Sequence, residues 1–161
     1  MKGLPGWPGP RGEGFVAAQV VLLALIAFGP RGSRTPALPG PVAAAATLAG
    51  AALMAAGGVL LVASLIRLGP NLTPLPYPKA GSVLVRTGPY RLVRHPIYAA
   101  VLALAFGWAL WVHGAWALLY AFALLALLDR KATREERWLC EKFPEYPAYQ
   151  RRVGKLVPFI R

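Results

Sequence analysis

The sequence is short of cysteine, histidine and acidic residues, and each shortage excludes a class of function. Its one cysteine, Cys140, excludes an internal disulfide. His95 and His113 have no neighbours at metal-ligand spacing, so we expect no metal site. Only 6 acidic residues oppose 18 basic ones, a net charge of +12 that would suit a nucleic-acid binder. The basic residues lie between and after apolar runs, however, so we expect anionic lipid as the partner and no nucleic acid.

Apolar residues make up 57% of the 161 residues, more than a soluble domain of this length can bury. They predict an all-α, polytopic membrane protein with about four transmembrane helices. A spanning helix needs about 20 residues, so the shorter runs must extend into their flanks. The exit from the first run offers no small-x-small cleavage site, which favours a retained helix over a signal peptide. The four runs are Phe15–Phe28, Pro41–Leu68, Ile97–Val112 and Ala115–Leu128.

The distribution of basic residues predicts the topology, since they accumulate on the cytoplasmic side of a membrane. The tail with Lys2 and Arg11, the second loop and the C-terminal tail carry nearly all of them, whereas the first loop has only Arg31 and Arg34. Both termini are therefore expected in the cytoplasm. Arginine outnumbers lysine 13 to 5, and alanine, glycine and proline abound, which indicates a prokaryotic inner-membrane protein.

Two segments on the cytoplasmic side carry the residue types that do chemistry. Gly88–Tyr98 combines a turn, two tyrosines, two arginines and a histidine directly before the third apolar run. Pro96 suits the first helical turn, whose free N–H groups, with Arg94 and His95, would form an anion site. An interfacial anchor is the alternative. The adjacent Glu135 and Glu136 either pair with basic neighbours along a helix or hold a cationic ligand.

These two segments, followed by Leu139, Phe143, Tyr146, Tyr149, Val153 and Pro158, resemble the isoprenylcysteine carboxyl methyltransferase family. Phospholipid N-methyltransferases share the same C-terminal core. The resemblance covers about half of the chain, from Ser82 to Pro158. Ala100 and Pro144 stand where the family usually has glycine, which affects the local turn and the shape of the substrate entry.

The resemblance implies S-adenosylmethionine as the cofactor, enclosed between the membrane helices and the cytoplasmic helices. Glu135 would accept a hydrogen bond from the cofactor's amino group, and the Arg94–His95 turn would receive its carboxylate. Lys131 takes the place of a substrate-side arginine, without the bidentate grip of arginine on a carboxylate. The cofactor-binding positions fall on Ser82, Val83, Leu84, Val85, Tyr90, Arg94, His95, Pro96, Ile97, Tyr98 and Glu135.

The implied organisation has two parts. Residues 1–69 hold two N-terminal transmembrane helices, at about 14–30 and 41–68. Residues 70–161 form the catalytic core: a cofactor loop at 79–98, a helical hairpin at 97–128, and cytoplasmic helices at 129–153 that cap the cofactor pocket. A proline-rich stretch, residues 69–81, leads into the cofactor loop and is expected to be non-helical.

The function that we expect is methyl transfer from S-adenosylmethionine to a lipophilic substrate. The acceptor would be the carboxylate of an isoprenylated cysteine or of a similar lipid acid, which needs no base. A phospholipid amine is the alternative acceptor, and His95 or Glu136 would then be the candidate catalytic base. A lipid reductase with a nicotinamide cofactor and a non-enzymatic scaffold subunit are the other readings of the sequence.

Overall fold

The computed structural model describes residues 9, 11–30 and 39–158. Helices dominate this part of the chain, and its only β-pairing is one parallel bridge between Val93 and Gly154. The predicted all-α class is confirmed for these residues. The helices are α1 (Glu13–Phe28), α2 (Gly40–Leu68), α3 (Pro96–Trp111), α4 (Ala115–Lys142) and α5 (Tyr146–Gln150).

One helical stretch of the described chain, Gly40–Asn71, is long and apolar enough to cross a membrane by itself. Its last three residues, Gly69–Asn71, form a 3₁₀ turn, so the prediction that residues 69–81 are not helical is wrong at its start; Pro70 fits there because the first turn of a helix needs no N–H group. Glu13–Phe28 and Pro96–Trp111 are shorter apolar helices, and α4 is apolar only up to Leu128. The count of four spans therefore stays a prediction. Of the charges behind the predicted topology, Lys2, Arg31 and Arg34 lie outside the described residues.

The closest helix pair is α2 with α3, because glycines face each other at the contact. A Cβ atom added at Gly50 would lie 2.6 Å from the carbonyl oxygen of Gly107, and one added at Gly107 would lie 2.8 Å from that of Gly50. Small residues permit such close approach of helices in lipid. The sequence pattern favours a ridge of Ala43, Thr47, Ala51 and Ala55, but this is wrong in part: α2 buries Gly50, Gly57 and Ser64, and Ala55 is exposed.

Helix α1 packs mainly on α4 and closes the other side of the bundle. The shared core contains Ile26, Leu102, Leu124 and Leu128, and the indole N–H of Trp108 donates to the carbonyl of Ile26 at 3.0 Å. At its N-terminal end, Gly12 lies so close to Pro76 that a Cβ atom there would be 2.5 Å from the proline ring. α1 therefore contacts helices α3 and α4 and the loop that follows α2.

The segment after α5 returns to the start of α3. The backbone N–H of Arg94 donates to the carbonyl of Gly154 at 2.8 Å, and that of His95 donates to Lys155 at 3.1 Å. The Tyr149 hydroxyl donates to the carbonyl of Tyr90. These bonds hold the residues before α3 against the chain that follows α4.

Candidate functional site

A cleft of about 100 Å³, open to solvent at its mouth, lies where the loop after α2, the start of α3 and the charged half of α4 meet. Its wall combines aromatic and aliphatic groups with a few polar ones. The lining residues are Leu68, Asn71, Thr73, Pro76, Pro78, Lys79, Ser82, Val83, Leu84, Val85, Tyr90, Arg94, His95, Glu135, Leu139, Phe143, Tyr146 and Tyr149.

Glu136 is the hub of the polar network behind the cleft. One of its carboxylate oxygens accepts from Arg94 Nε at 2.6 Å and lies 3.1 Å from His95 Nε2. The other oxygen accepts from the side-chain amide of Gln150 at 2.8 Å. Arg94 also donates to the carbonyls of Gln150 and Val153. Glu136 therefore connects α4, the residues directly before α3 and the end of α5, and it does not line the cleft.

Glu135 faces the cleft instead. Its side chain is 24% exposed, against 7% for Glu136, although the two residues are neighbours on one helix. The hydroxyl of Tyr98 donates to Glu135 Oε2 at 2.7 Å, and His95 Nδ1 lies 3.8 Å from the same oxygen. The rings of His95 and Tyr98 stack with their centroids 5.3 Å apart. These contacts, which all involve Oε2, orient the carboxylate at the wall of the cleft.

The two carboxyl groups differ in pKa because their partners differ. Burial alone would raise the pKa of Glu136, but hydrogen bonds from His95 and Arg94 outweigh burial and lower the pKa to about 2. Burial raises the pKa of Glu135 above its ordinary value, although His95, Tyr98 and Lys131 oppose this effect. The carboxylate of Glu135 has fewer hydrogen-bonding and charged partners than that of Glu136, so a cationic ligand would stabilise Glu135 more.

The loop from Gly69 to Gly88 lines the cleft, and hydrogen bonds within the loop and to α4 hold it in place. The backbone N–H of Val83 donates to the side-chain oxygen of Asn71 at 3.0 Å. Lys142, at the end of α4, donates to the Ser82 hydroxyl at 2.7 Å and to the carbonyl of Lys79. The non-helical backbone of Ser82–Val85 therefore forms one wall of the cleft.

Most of the predicted site residues meet at this cleft. Ser82, Val83, Leu84, Val85, Tyr90, Arg94, His95 and Glu135 line it, whereas Pro96, Ile97, Tyr98, Lys131 and Glu136 do not. Tyr98 reaches the site through its bond to Glu135. The backbone N–H groups of Arg94 and His95 donate to the carbonyls of Gly154 and Lys155, so they are not available to an anion. The anion site at the first turn of α3 itself stays a prediction.

Several cleft residues were not singled out in the sequence. Asn71 is a lone amide in a proline-rich loop, and amides that fasten loops leave no periodic signal. Tyr146 belongs to the family pattern but carried no predicted role; in the described structure its buried hydroxyl has no hydrogen-bond partner.

Among the described residues, no group of three or more His, Cys, Asp or Glu side chains lies close enough to hold a metal ion.

Lys131 lies one turn before Glu135 on α4, behind the cleft. It is 2% exposed, its ammonium group donates to Gln19 Oε1 of α1 at 2.8 Å, and it lies 5.1 Å from the centre of the Tyr98 ring. Burial lowers the pKa of Lys131, and the charge of Glu135 opposes that effect.

A family model described as phospholipid methyltransferase matches residues 45–146. The solved structure of a eukaryotic intramembrane Ras methyltransferase, the isoprenylcysteine carboxyl methyltransferase, matches with a TM-score of 0.65 and 22% identity. The match covers 96% of this chain and 54% of that enzyme, so this chain spans about half of its length. At this identity the similarity shows the fold. No curated protein sequence matches the chain significantly.

Proposed function

Because the chain belongs to the phospholipid methyltransferase family, we propose that it is an integral membrane enzyme that transfers a methyl group from S-adenosylmethionine to a lipophilic acceptor. The observation that carries the proposal is the orientation of Glu135, a carboxylate held by Tyr98 at the wall of the cleft. A scaffold subunit or a reductase would not require this family core or this carboxylate.

The lining of the cleft fits the proposed cofactor in its chemistry. S-adenosylmethionine carries an amino group, a carboxylate and a cationic sulfur. Glu135 would accept from the amino group, and Arg94 and His95 would face the carboxylate. Ser82–Val85 and Tyr90 would hold the rest, with Pro96, Ile97 and Tyr98 supporting them from behind.

When bound, the cofactor supplies a methyl group on a positively charged sulfur. The protein then has to align the acceptor in line with that bond and exclude water, which accounts for most of the rate in such displacements. The loop from Gly69 to Gly88, fastened by Lys142, would exclude water from the cleft. Lys131 would lie on the acceptor side, next to Tyr98.

The network behind the cleft favours a lipid acid as the acceptor, such as the carboxylate of an isoprenylated cysteine. An amine acceptor must lose a proton, and both candidate bases are engaged: Glu136 binds three side chains and His95 lies between two carboxylates. A carboxylate acceptor is ionised at neutral pH and needs no base. The description of the family supports a phospholipid amine as the second candidate.

The direct test is calorimetry of S-adenosylmethionine binding to purified protein in detergent. We expect a Kd within the roughly 1 µM to 1 mM range of enzyme substrates. Glu135→Gln keeps the shape of the side chain and removes its charge, and it should weaken binding by about tenfold or more, because hydrogen bonds to charged groups contribute about 1.5–3 kcal/mol.

Glu141→Gln is the matched control, since Glu141 lies on the same helix and is exposed. It should leave the Kd unchanged. Folded wild-type protein that fails to bind S-adenosylmethionine would refute the proposed function, and equal Kd values for all three proteins would refute the role of Glu135.

A further inference from the structure

Gln19 is the one polar side chain between Phe15 and Phe28, a segment that is otherwise apolar. A polar group on a helix in lipid is costly unless it faces a partner inside the bundle. Gln19 has such a partner: its side-chain oxygen accepts from the ammonium group of Lys131 on α4 at 2.8 Å.

Lys131 has no ion-pair partner in the part of the chain that the structure describes. Its ammonium group contacts the Gln19 amide and the face of the Tyr98 ring. The carboxylate of Glu135, whose charge acts on Lys131 from more than 4.0 Å away, already accepts from Tyr98. A buried charge without a close opposite charge is unfavourable. This ammonium group therefore has a strong tendency to attract an anion.

We propose that Gln19 is a positioning residue on the acceptor side. Its side-chain amide holds the ammonium group of Lys131 in place. Because the amide is neutral, the positive charge of Lys131 stays available to bind an anionic group of the acceptor. The inference rests on the proposed function and deepens it. It brings α1 into the site and restricts the acceptor to lipids with an anion near the reacting group. A lipid carboxylate and the phosphodiester of a phospholipid share that chemistry.

Substitution by glutamate makes the sharpest test, because Gln19→Glu keeps the hydrogen bond to Lys131 and neutralises its charge. The measurement is the affinity of S-isoprenylated N-acetylcysteine relative to its uncharged methyl ester, with the full-length protein saturated with S-adenosylhomocysteine. The wild type should bind the acid more tightly than the ester. Gln19→Glu should lower this ratio by about tenfold, the loss of one charge-assisted interaction.

Phosphatidylethanolamine in mixed micelles forms the second arm of the experiment. If it displaces the acid, and if Gln19→Glu weakens that displacement by a similar factor, the anion is a phosphodiester. If it does not compete, the anion is a carboxylate. In the Lys131→Met background, Gln19→Glu should have no further effect on either ligand, because it acts through the ammonium group.

Two results would overturn the proposal. One is an acid-to-ester ratio that is the same in the wild type and in Gln19→Glu. The other is an equal loss of affinity for acid and ester, which a purely structural role predicts. Gln19→Met removes the hydrogen bond without adding charge. It should weaken binding of the acid by several fold and binding of the ester by less than twofold. Binding of S-adenosylmethionine to each variant, measured separately, distinguishes these failures from failure of the proposed function.

Discussion

At the scale of single residues, two adjacent glutamates on one helix have different surroundings and different roles. Successive residues of an α-helix point about 100° apart, so neighbours face different surroundings. Glu136 points into the protein, where Arg94, His95 and Gln150 surround it. Glu135 points into the cleft. One residue therefore stabilises the fold, while its neighbour is free to bind a ligand.

The partners of Glu136 make the protein sensitive to acid. The pKa of Glu136 falls from an ordinary value of 4.5 to about 2 on folding, so its stabilising effect is complete above the ordinary value. As pH falls from about 5 to about 2, the carboxylate becomes protonated and that stabilisation is lost. Glu136→Gln should have a lower Tm than the wild type at pH 7 and a flatter dependence of Tm on pH in this window.

Thermal melting in detergent between pH 3 and pH 7 measures this effect. Glu141→Gln serves again as the control, and its Tm should follow that of the wild type. If Glu136→Gln showed the same Tm as the wild type at every pH, the contacts of Glu136 with Arg94 and His95 would not stabilise the folded state.

The pair of glutamates was recognisable in the sequence, because acidic residues are scarce and these two are adjacent. Which of the two faces the ligand depends on the rotation of α4, and the resemblance alone favoured Glu135. Gln19 was not singled out, although a single amide in an apolar run is a readable signal. Its partner lies 112 residues away, and no local pattern indicates a contact of that kind.

At the scale of elements, the bounds of the apolar helices follow from the sequence more closely than their contacts do. Proline and glycine limit α2 and α3, and the observed α2, Gly40–Leu68, is close to the predicted 41–68. The packing face of α2 was mistaken because the helix is apolar all round and rich in alanine. Only the approach of a second helix distinguishes Gly50 from its neighbours.

The α2–α3 contact predicts a strong difference between two glycines on one helix. Gly50→Val places a side chain against the backbone of Gly107 and Trp111, which must move. Overpacking of this kind costs about 1–3 kcal/mol. Gly58→Ala is the control, because a Cβ atom at Gly58 meets nothing within 4 Å. In thermal melts, Gly50→Val should lower the Tm by several degrees, while Gly58→Ala should not; equal Tm values would contradict the close contact.

At the scale of the whole molecule, the two ends of α4 are expected on opposite sides of the membrane. Trp116 lies at the start of this helix and is 48% exposed, and Glu141 lies near its other end and is also exposed. The basic residues cluster around the second end, which the distribution of charge predicts to be cytoplasmic.

Single cysteines at these two positions test the topology. In a Cys140→Ser background, a membrane-impermeant maleimide added to right-side-out vesicles should label Trp116→Cys at once. It should label Glu141→Cys only after the membrane is permeabilised. The reverse pattern would place the cleft on the outer side, and labelling of both positions in sealed vesicles would mean that α4 does not span the membrane.

The contacts between Arg94 and the chain after α5 also have a consequence for the order of biosynthesis. The carbonyl groups of Gln150, at the end of α5, and of Val153 and Gly154 hold Arg94 at the cleft, and the ribosome makes these residues after helices α1 to α4. A nascent chain that has already inserted its apolar helices therefore still lacks its finished cleft. We therefore expect a chain that stops before Gln150 to bind no S-adenosylmethionine, the proposed cofactor, even after its apolar helices have inserted into a membrane.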